Sequence, residues 1–163
     1  MLTFNRDAKR FNFRSVAVIV KDNCVLVHKA VKEAFWTLPG GRVEFFEHAE
    51  DTVARELQEE LGVTARVIRP LWFAENFFHY NEQTFHELGH YFLAEITSEV
   101  TMRPGETFAG IEPDEDLIYQ WLPLTQLADI DLKPEFLHQG LRNLPSALQY
   151  VKIQDMGFRH DTE

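Results

Sequence analysis

The segment from Gly41 to Val63 constrains this chain most, because it places many carboxylates on a pattern that also predicts a helix. Apolar residues recur there at spacings of three and four, which is typical of a helix with one buried face. At roughly 100° per residue, Glu56, Glu59 and Glu60 share a different side of that helix. The apolar stripe consists of Ala49, Val53, Ala54, Leu57 and Leu61.

These three carboxylates need a positive partner, since like charges three or four residues apart destabilise a helix by roughly 0.2 to 0.5 kcal/mol per pair. Arg55 lies one turn before Glu59 and is placed to orient that carboxylate, but one guanidinium does not neutralise all three. Mg²⁺ and Mn²⁺ prefer carboxylate, carbonyl and water oxygens and keep positions open for substrate phosphates. The pattern therefore predicts a divalent metal site on Glu56, Glu59 and Glu60.

Glycines mark both ends of this predicted helix. The run from Leu38 to Gly41 predicts a tight loop whose backbone approaches a metal or a phosphate closely. Gly62 occupies the position at which a glycine ends a helix.

The fixed positions of this segment resemble the Nudix box, which reads Gly, five residues, Glu, seven residues, then Arg-Glu-aliphatic-x-Glu-Glu-x-Gly-aliphatic. From average residue frequencies, a chance match in a chain of this length is well below roughly one in a million. Phe46 is a departure, because the family often has glycine there. The matching residues are Gly41, Glu47, Arg55, Glu56, Leu57, Glu59, Glu60, Gly62 and Val63.

The resemblance implies a hydrolase, dependent on Mg²⁺ or Mn²⁺, that cleaves a diphosphate linkage in a nucleoside diphosphate joined to another moiety. It implies metal ligands at Gly40, through its carbonyl, and at Glu56, Glu59 and Glu60. It implies a supporting loop that contains Gly41, Glu44 and Glu47. It also implies catalytic roles for Arg55, Glu56 and Glu59. The alternative is a non-catalytic module of the same fold that senses a nucleotide and is stabilised by it without turnover.

A general base is expected outside the box, because carboxylates that bind metal are poor proton acceptors and Nudix enzymes often recruit one from elsewhere. The acidic loop before the strand at Leu117 offers Glu112 and Glu115. The position of Glu115 resembles the place where relatives carry such a residue, so Glu115 is the predicted base. Glu87 is the competitor, and a loop that is merely solvated explains the same acidic residues equally well.

A zinc-protease reading of His86 to His90 is the main competing motif, since these residues spell H-E-x-x-H. Aromatic residues on both flanks and Gly89 within the motif favour a strand instead. A strand separates His86 from His90 by about 13 Å, at roughly 3.3 Å per residue, and so prevents them from sharing one zinc. A metal assay distinguishes the two readings.

Composition limits the remaining possibilities. With 163 residues, of which 45% are hydrophobic, the chain predicts one domain over residues 1–163. A formal charge of −10 argues against binding to nucleic acid or to an anionic membrane. A single cysteine, Cys24, and the lack of a long apolar run predict a cytoplasmic protein. The oligomeric state is left open, with a homodimer as one possibility.

The remaining elements predict an α/β (α+β) fold, with a mixed central sheet between helical layers, as in a Nudix-like α/β/α sandwich. A break or an edge position is expected at Pro70, and a four-residue turn at 81–84. Residues 97–116 read as a long loop. Strands are predicted at 13–21, 24–29, 36–38, 65–68, 71–74, 75–80, 85–96, 117–122 and 148–153. Helices are predicted at 124–128 and from Pro134 onwards.

Overall fold

The computed structural model describes residues 1–154 of the chain. Its strands are β1 Thr3–Arg6, β2 Lys9–Val18, β3 Val20–Lys21, β4 Cys24–Ala30, β5 Gly40–Arg42, β6 Ala65–Tyr80, β7 Gln83–Ile96, β8 Thr107–Ala109, β9 Leu117–Pro123 and β10 Gln149–Gln154. Its helices are α1 Ala49–Leu61, a 3₁₀ helix at Leu124–Asp129, and α2 Phe136–Gly140.

The strands form two sheets. The larger sheet has the order β1-β2-β7-β6-β10, with β5 added beside β2, and the smaller sheet has the order β3-β4-β9-β8. The pairs β2 with β7 and β6 with β10 are parallel, whereas β6 with β7 and β4 with β9 are antiparallel. The central sheet is therefore mixed, as the sequence predicts.

Helices cover both faces of this arrangement, because alternate residues of a strand point to opposite sides. Val16 and Val18 of β2 belong to a buried cluster that includes Leu137 of α2. Ala17, between them, belongs to a second buried cluster that includes Leu57 of α1. The predicted α/β/α sandwich is confirmed, with α1 on one side and α2 with the 3₁₀ helix on the other.

The strand predicted at 13–21 is divided in the structure. Strand β2 ends at Val18, and β3 at Val20–Lys21 belongs to the other sheet. Ile19 lies at the crossing and is 2% exposed, so the apolar run continues while the hydrogen-bonding partner changes. The preceding strand β1, which pairs antiparallel with the start of β2, was not predicted.

Pro70 neither ends nor divides its strand, since β6 runs through it from Ala65 to Tyr80. The register with β7 shifts between Val67 and Arg69 and again between Pro70 and Trp72. Pairing of β6 with β10 begins only at Trp72. Pro70 therefore lies at a locally exposed sheet edge, where a residue without an N–H donor is tolerated.

Four smaller predictions are also corrected. The hairpin turn is a two-residue turn at Asn81 and Glu82, both with positive φ, rather than a four-residue turn. The residues from 36 to 38 form isolated bridges instead of a strand. The loop predicted to end at Gly41 runs into a short strand, β5, and the long loop at 97–116 contains β8.

Strands 117–122 and 148–153 and the helix at 124–128 are confirmed within one or two residues at their boundaries. The helix predicted from Pro134 onwards is present but shorter than its apolar pattern indicated, since α2 spans only Phe136–Gly140. No helix among residues 1–154 is long and apolar enough to span a membrane. The prediction of a single domain over residues 1–163 stays a prediction.

Candidate active site

Helix α1 carries the acidic residues of the candidate site. Glu50 and Asp51 lie in its first turn, where negative charge favours the helix dipole. It ends at Gly62, which takes a left-handed conformation with φ of 67° and whose N–H donates to the Gln58 carbonyl at 2.9 Å. Val53 and Leu57 anchor the helix, since each is 1% exposed.

Arg55 is the central cation of the site. Its Nε donates to Glu47 Oε2 at 2.8 Å, and its Nη1 donates to Glu56 Oε1 at 2.9 Å. The same Nη1 approaches both carboxylate oxygens of Glu59 at 3.3 Å. Its Nη2 donates to the Arg42 carbonyl at 3.1 Å. Arg55 therefore orients Glu59, as predicted, but it also holds Glu47 and Glu56.

Glu47 fixes the loop that enters α1. Its Oε1 accepts hydrogen bonds from the Arg55 Nη2 at 3.0 Å, from the Thr52 hydroxyl at 2.5 Å and from the Glu44 backbone N–H at 3.3 Å. The hydrogen bonds from Arg55 outweigh burial and lower the pKa of Glu47 to about 2. Glu47 is thus a structural carboxylate that stays ionised and connects the loop, the helix start and the cation.

Both glycines before the helix are required by close packing. A Cβ on Gly41 would lie 2.1 Å from Glu56 Cδ, and one on Gly40 would lie 2.2 Å from the Ser15 carbonyl oxygen. The Glu56 carboxyl therefore packs directly against the backbone of β5. Burial is the main cause that raises the pKa of Glu56, and Arg55 opposes it.

Glu60 is the most buried acid of the site, with 5% exposure. Its Oε2 accepts a hydrogen bond from the Tyr119 hydroxyl at 2.8 Å. Burial raises the pKa of Glu60 to about 8, and the hydrogen bond from Tyr119 is the next largest effect and opposes it. Glu56 and Glu115 raise this pKa further, and Arg14 lowers it. Sequence reasoning missed Tyr119, since nothing in the local pattern of β9 indicates that it meets α1.

The acidic loop is attached to the end of α1. The Ile111 N–H donates to the Glu60 carbonyl at 2.8 Å, which brings the loop over the last helical turn. A crevice there is lined by residues that include Glu60, Glu112 and Glu115. Burial is the first cause that raises the pKa of Glu112, followed by repulsion from Glu115 and Glu59.

Glu87 lies elsewhere. It is half-buried on β7, where it pairs in register with Asn12 of β2. Burial raises its pKa, and Arg14, Asn12 and Arg42 oppose that effect. Glu112 and Glu115 line the same crevice as Glu60, whereas Glu87 is not among the residues that line it.

The H-E-x-x-H motif lies on β7, as the strand reading predicted. His86 is exposed and packs beside Phe11 and Phe77, whereas His90 is half-buried beside Phe73. Burial lowers the pKa of His90.

The residues of α1 suit a hard divalent cation by their chemistry. Within residues 1–154, no three His, Cys, Asp or Glu side chains converge as a ready metal site. Glu56, half-buried, and Glu60, buried, nevertheless lie one helical turn apart on α1, and repulsion from Glu56 helps to raise the pKa of Glu60. Arg55 contacts Glu56 and has no hydrogen bond to Glu60. A cation would satisfy both groups, so the donor set fits.

A mixed sheet between helical layers, with an acidic helix after a Gly-Gly strand, defines the class of this protein. The family model for the NUDIX domain matches residues 11–144, and the chain belongs to the Nudix family. Hydrolases of this family generally use divalent metal ions.

Proteins similar to this chain are known from sequence and from structure. One from Bacillus subtilis (strain 168), named "Putative 8-oxo-dGTP diphosphatase", is 31% identical over 97 residues, which cover 60% of this chain and 61% of that protein. The chain therefore aligns with about three fifths of that relative's length.

Two solved structures illustrate the structural likeness. A MutT NUDIX hydrolase from Burkholderia pseudomallei is 27% identical with a TM-score of 0.57, covering 71% of this chain and 84% of its own. A MutT protein from Bacillus halodurans has a TM-score of 0.63 at 16% identity, covering 91% of this chain and 93% of its own. The second likeness concerns the fold alone.

Proposed function

We propose that this protein hydrolyses a diphosphate linkage in a nucleoside diphosphate joined to another moiety, with Mg²⁺ or Mn²⁺ as cofactor. The observation that carries the proposal is the half-buried Glu56 carboxyl packed against the backbone of Gly41, one helical turn from the buried Glu60. Burying carboxylates is costly in a structural role, and among residues 1–154 Arg55 forms an ion pair with Glu56 but none with Glu60. The family and the names of its similar members support the same reaction.

Glu56, Glu59 and Glu60, with the Gly40 carbonyl, would hold the metal in this proposal. Glu59, whose side chain is 49% exposed, would be the most accessible of the three. The cation supplies charge neutralisation for the phosphoryl oxygens and lowers the pKa of the attacking water.

Four further residues position the metal ligands and the loop beside them. Arg55 orients Glu56 and Glu59, and Glu47 fixes Arg55. Gly41 and Glu44 shape the loop beside them.

Glu115 is the proposed general base, since its loop lies over the last turn of α1 beside Glu60. It takes a proton as the water oxygen bonds to phosphorus, and the bridging P–O bond breaks to release a phosphate-terminated product.

A panel of nucleoside triphosphates, nucleotide sugars, dinucleotides and dinucleoside polyphosphates with Mg²⁺ or Mn²⁺, with products identified, tests the reaction. Glu56→Gln and Glu60→Gln should lower kcat by at least about 10² while the protein remains folded. Glu50→Gln, an exposed acid in the first turn of α1, is the matched control and should keep wild-type turnover.

The alternative is a nucleotide-sensing module, which would be stabilised by one member of the panel without product release. That result, or full activity in both glutamine variants, would contradict the proposal.

A further inference from the structure

Three arginines lie on the face of the larger sheet that is opposite α1. Arg10 and Arg14 alternate along β2 with the residues that face the helix, so their side chains share the side of Val16. Arg42 of β5 is the direct antiparallel partner of Arg14, and directly opposed residues share a face. Arg10, Arg14 and Arg42 are called the arginine cluster below.

The arginine cluster carries more positive charge than its surroundings neutralise, although the whole chain has a formal charge of −10. Repulsion from Arg10 and Arg14 adds to burial in lowering the pKa of Arg42, and Glu87 is the carboxylate that opposes them. Glu87 points to the same face, because its register partner Asn12 lies between the two arginines of β2. Arg14 and Arg42 both lower the pKa of Glu87, so at least two cations of the cluster share this one carboxylate.

Neutral groups hold the guanidinium groups of β2 in place. Arg14 Nη2 donates to the Leu38 carbonyl at 3.0 Å, and Arg10 Nε donates to the Thr3 hydroxyl at 3.2 Å. The Arg10 guanidinium carbon also lies 6.0 Å from the centre of the Phe85 ring. Arg14 Nε is buried and has no hydrogen-bond partner among residues 1–154. A buried donor of this kind is costly unless a ligand satisfies it.

The arginine cluster is continuous with the candidate active site. Arg42 directly follows Gly41, whose backbone packs against the Glu56 carboxyl. The Arg42 carbonyl also accepts a hydrogen bond from Arg55 at 3.1 Å. The arginine side chains and the Glu56 side of Gly41 lie on the two faces of β5, which pairs only with β2 among the described strands and is therefore an edge strand. A substrate that reaches both places passes around this edge.

We propose that the arginine cluster binds a phosphate group of the substrate other than the two phosphates of the cleaved linkage. This inference rests on the proposed function, and it deepens it by naming a substrate class: nucleotide derivatives that carry an additional phosphate. The extra phosphate is either the terminal group of a polyphosphate chain or a phosphate ester on the other moiety. Guanidinium groups suit both, since they bind phosphate oxygens through paired, charge-assisted hydrogen bonds.

The first experiment measures anion binding without turnover. Inorganic tripolyphosphate is titrated into the protein in excess chelator, and its Kd is measured by calorimetry at low salt. Arg10→Gln and Arg42→Gln should each raise that Kd about tenfold, as expected for loss of a hydrogen bond to a charged group. Glu87→Gln should lower the Kd, because it removes the negative charge beside the cluster. Arg66→Gln is the matched control, since Arg66 is exposed and paired with Glu95.

The second experiment distinguishes the two sources of phosphate. Turnover is compared for NADPH against NADH, which differ by a phosphate ester, and for a nucleoside triphosphate against its diphosphate. In one of these two pairs, Arg42→Gln should raise the KM of the substrate that carries the additional phosphate about tenfold. The KM of the substrate that lacks this phosphate should change little. The pair that responds identifies the source.

Equal Kd values for wild type, Arg10→Gln and Arg42→Gln would overturn the inference, as would a Glu87→Gln variant that binds tripolyphosphate more weakly. Melting temperatures show whether each variant is folded. A lowered melting temperature would indicate that the arginine stabilises the fold, and a change in Kd alone indicates that it binds the anion. If no substrate of the panel is cleaved, the proposed function fails, whereas the tripolyphosphate titration still tests the arginine cluster by itself.

Discussion

Phe46 occupies a backbone conformation that ordinarily belongs to glycine, since its φ is 64°. Its side chain is fully exposed, so little burial compensates for the strain. The neighbouring Phe45 is also exposed but does not have a positive φ. The glycine that the family often has at position 46 therefore agrees with the loop geometry observed here, and phenylalanine keeps that geometry at a cost.

Phe46→Gly should raise the free energy of unfolding by about 0.5 to 1 kcal/mol, because relief of the left-handed conformation outweighs the added freedom of the unfolded chain. Urea denaturation measures the change. Phe45→Gly is the matched control and should lower stability by up to about 1 kcal/mol, since it adds chain freedom and relieves no strain. A less stable Phe46→Gly variant would show that the phenylalanine ring contributes contacts that outweigh its strain.

Glu47 should make the stability of this protein depend on pH in acid. Its pKa is about 2 in the folded protein and 4.5 in the unfolded chain. A lowered pKa stabilises the folded state above pH 4.5, and this contribution is lost as pH falls from 4.5 towards 2. Glu47→Gln should therefore cost roughly 2 to 3 kcal/mol at pH 7 and much less near pH 3.

Denaturation of wild type and variant at both pH values measures this difference. Glu95→Gln is the control, because Glu95 also pairs with an arginine but both side chains are largely exposed. Exposed pairs contribute at most about 1 kcal/mol, so Glu95→Gln should change little at either pH. An equal loss for Glu47→Gln at pH 7 and pH 3 would contradict the assignment of a structural, ionised carboxylate.

Helix α1 concentrates carboxylates, and for this reason metal should stabilise the protein. A ligand that binds only the folded state stabilises it by about 2.7 kcal/mol at a hundredfold excess over Kd. Millimolar Mg²⁺ or Mn²⁺ should therefore raise the melting temperature of wild type and raise it much less for Glu56→Gln. Glu59→Gln in chelator should be neutral or stabilising, since it removes like-charge repulsion. A wild-type melting temperature indifferent to both ions would argue against the metal site.

The loop that joins β8 to β9 carries the proposed base. Its attachment through the Ile111 N–H keeps Glu112 and Glu115 beside Glu60, so both are tested together with Glu87. The kcat–pH profile of the true base variant should lose its acidic limb and about 10² or more in rate. Glu115→Gln is expected to show both effects, and Glu112→Gln and Glu87→Gln are expected to show neither. A Glu115→Gln variant that keeps its acidic limb would transfer the role elsewhere.

Helix α1 was predictable from sequence because its evidence is local. The apolar spacing, the glycine at position 62 and the carboxylates on a separate side all lie within one 13-residue helix and the residue that follows it. The fold class was predictable for a similar reason, since strand runs and helical runs alternate irregularly along the chain. Strand boundaries were less predictable where the apolar run continued across Ile19 while the chain passed from one sheet to the other.

Contacts between distant strands were not predictable, because the register of a sheet is set by three-dimensional packing. The parallel pairing of β2 with β7 places Asn12 opposite Glu87, and the pairing of β2 with β5 places Arg14 opposite Arg42. Neither arginine had a distinguishing sequence pattern. Tyr119 was missed for the same reason, because its hydroxyl reaches Glu60 across 59 positions of sequence.

The pairing of β2 with β7 also determines when the molecule can assemble. Strand β2 ends at Val18, whereas its central neighbour β7 extends to Ile96, and α1 lies between them in sequence. The cluster that buries α1 contains Phe92 of β7 and Trp121 of β9, which a ribosome makes after the helix. The burial of the apolar face of α1 is therefore complete only after Trp121, about three quarters of the way along the chain, has been synthesised, and contacts this distant in sequence form slowly.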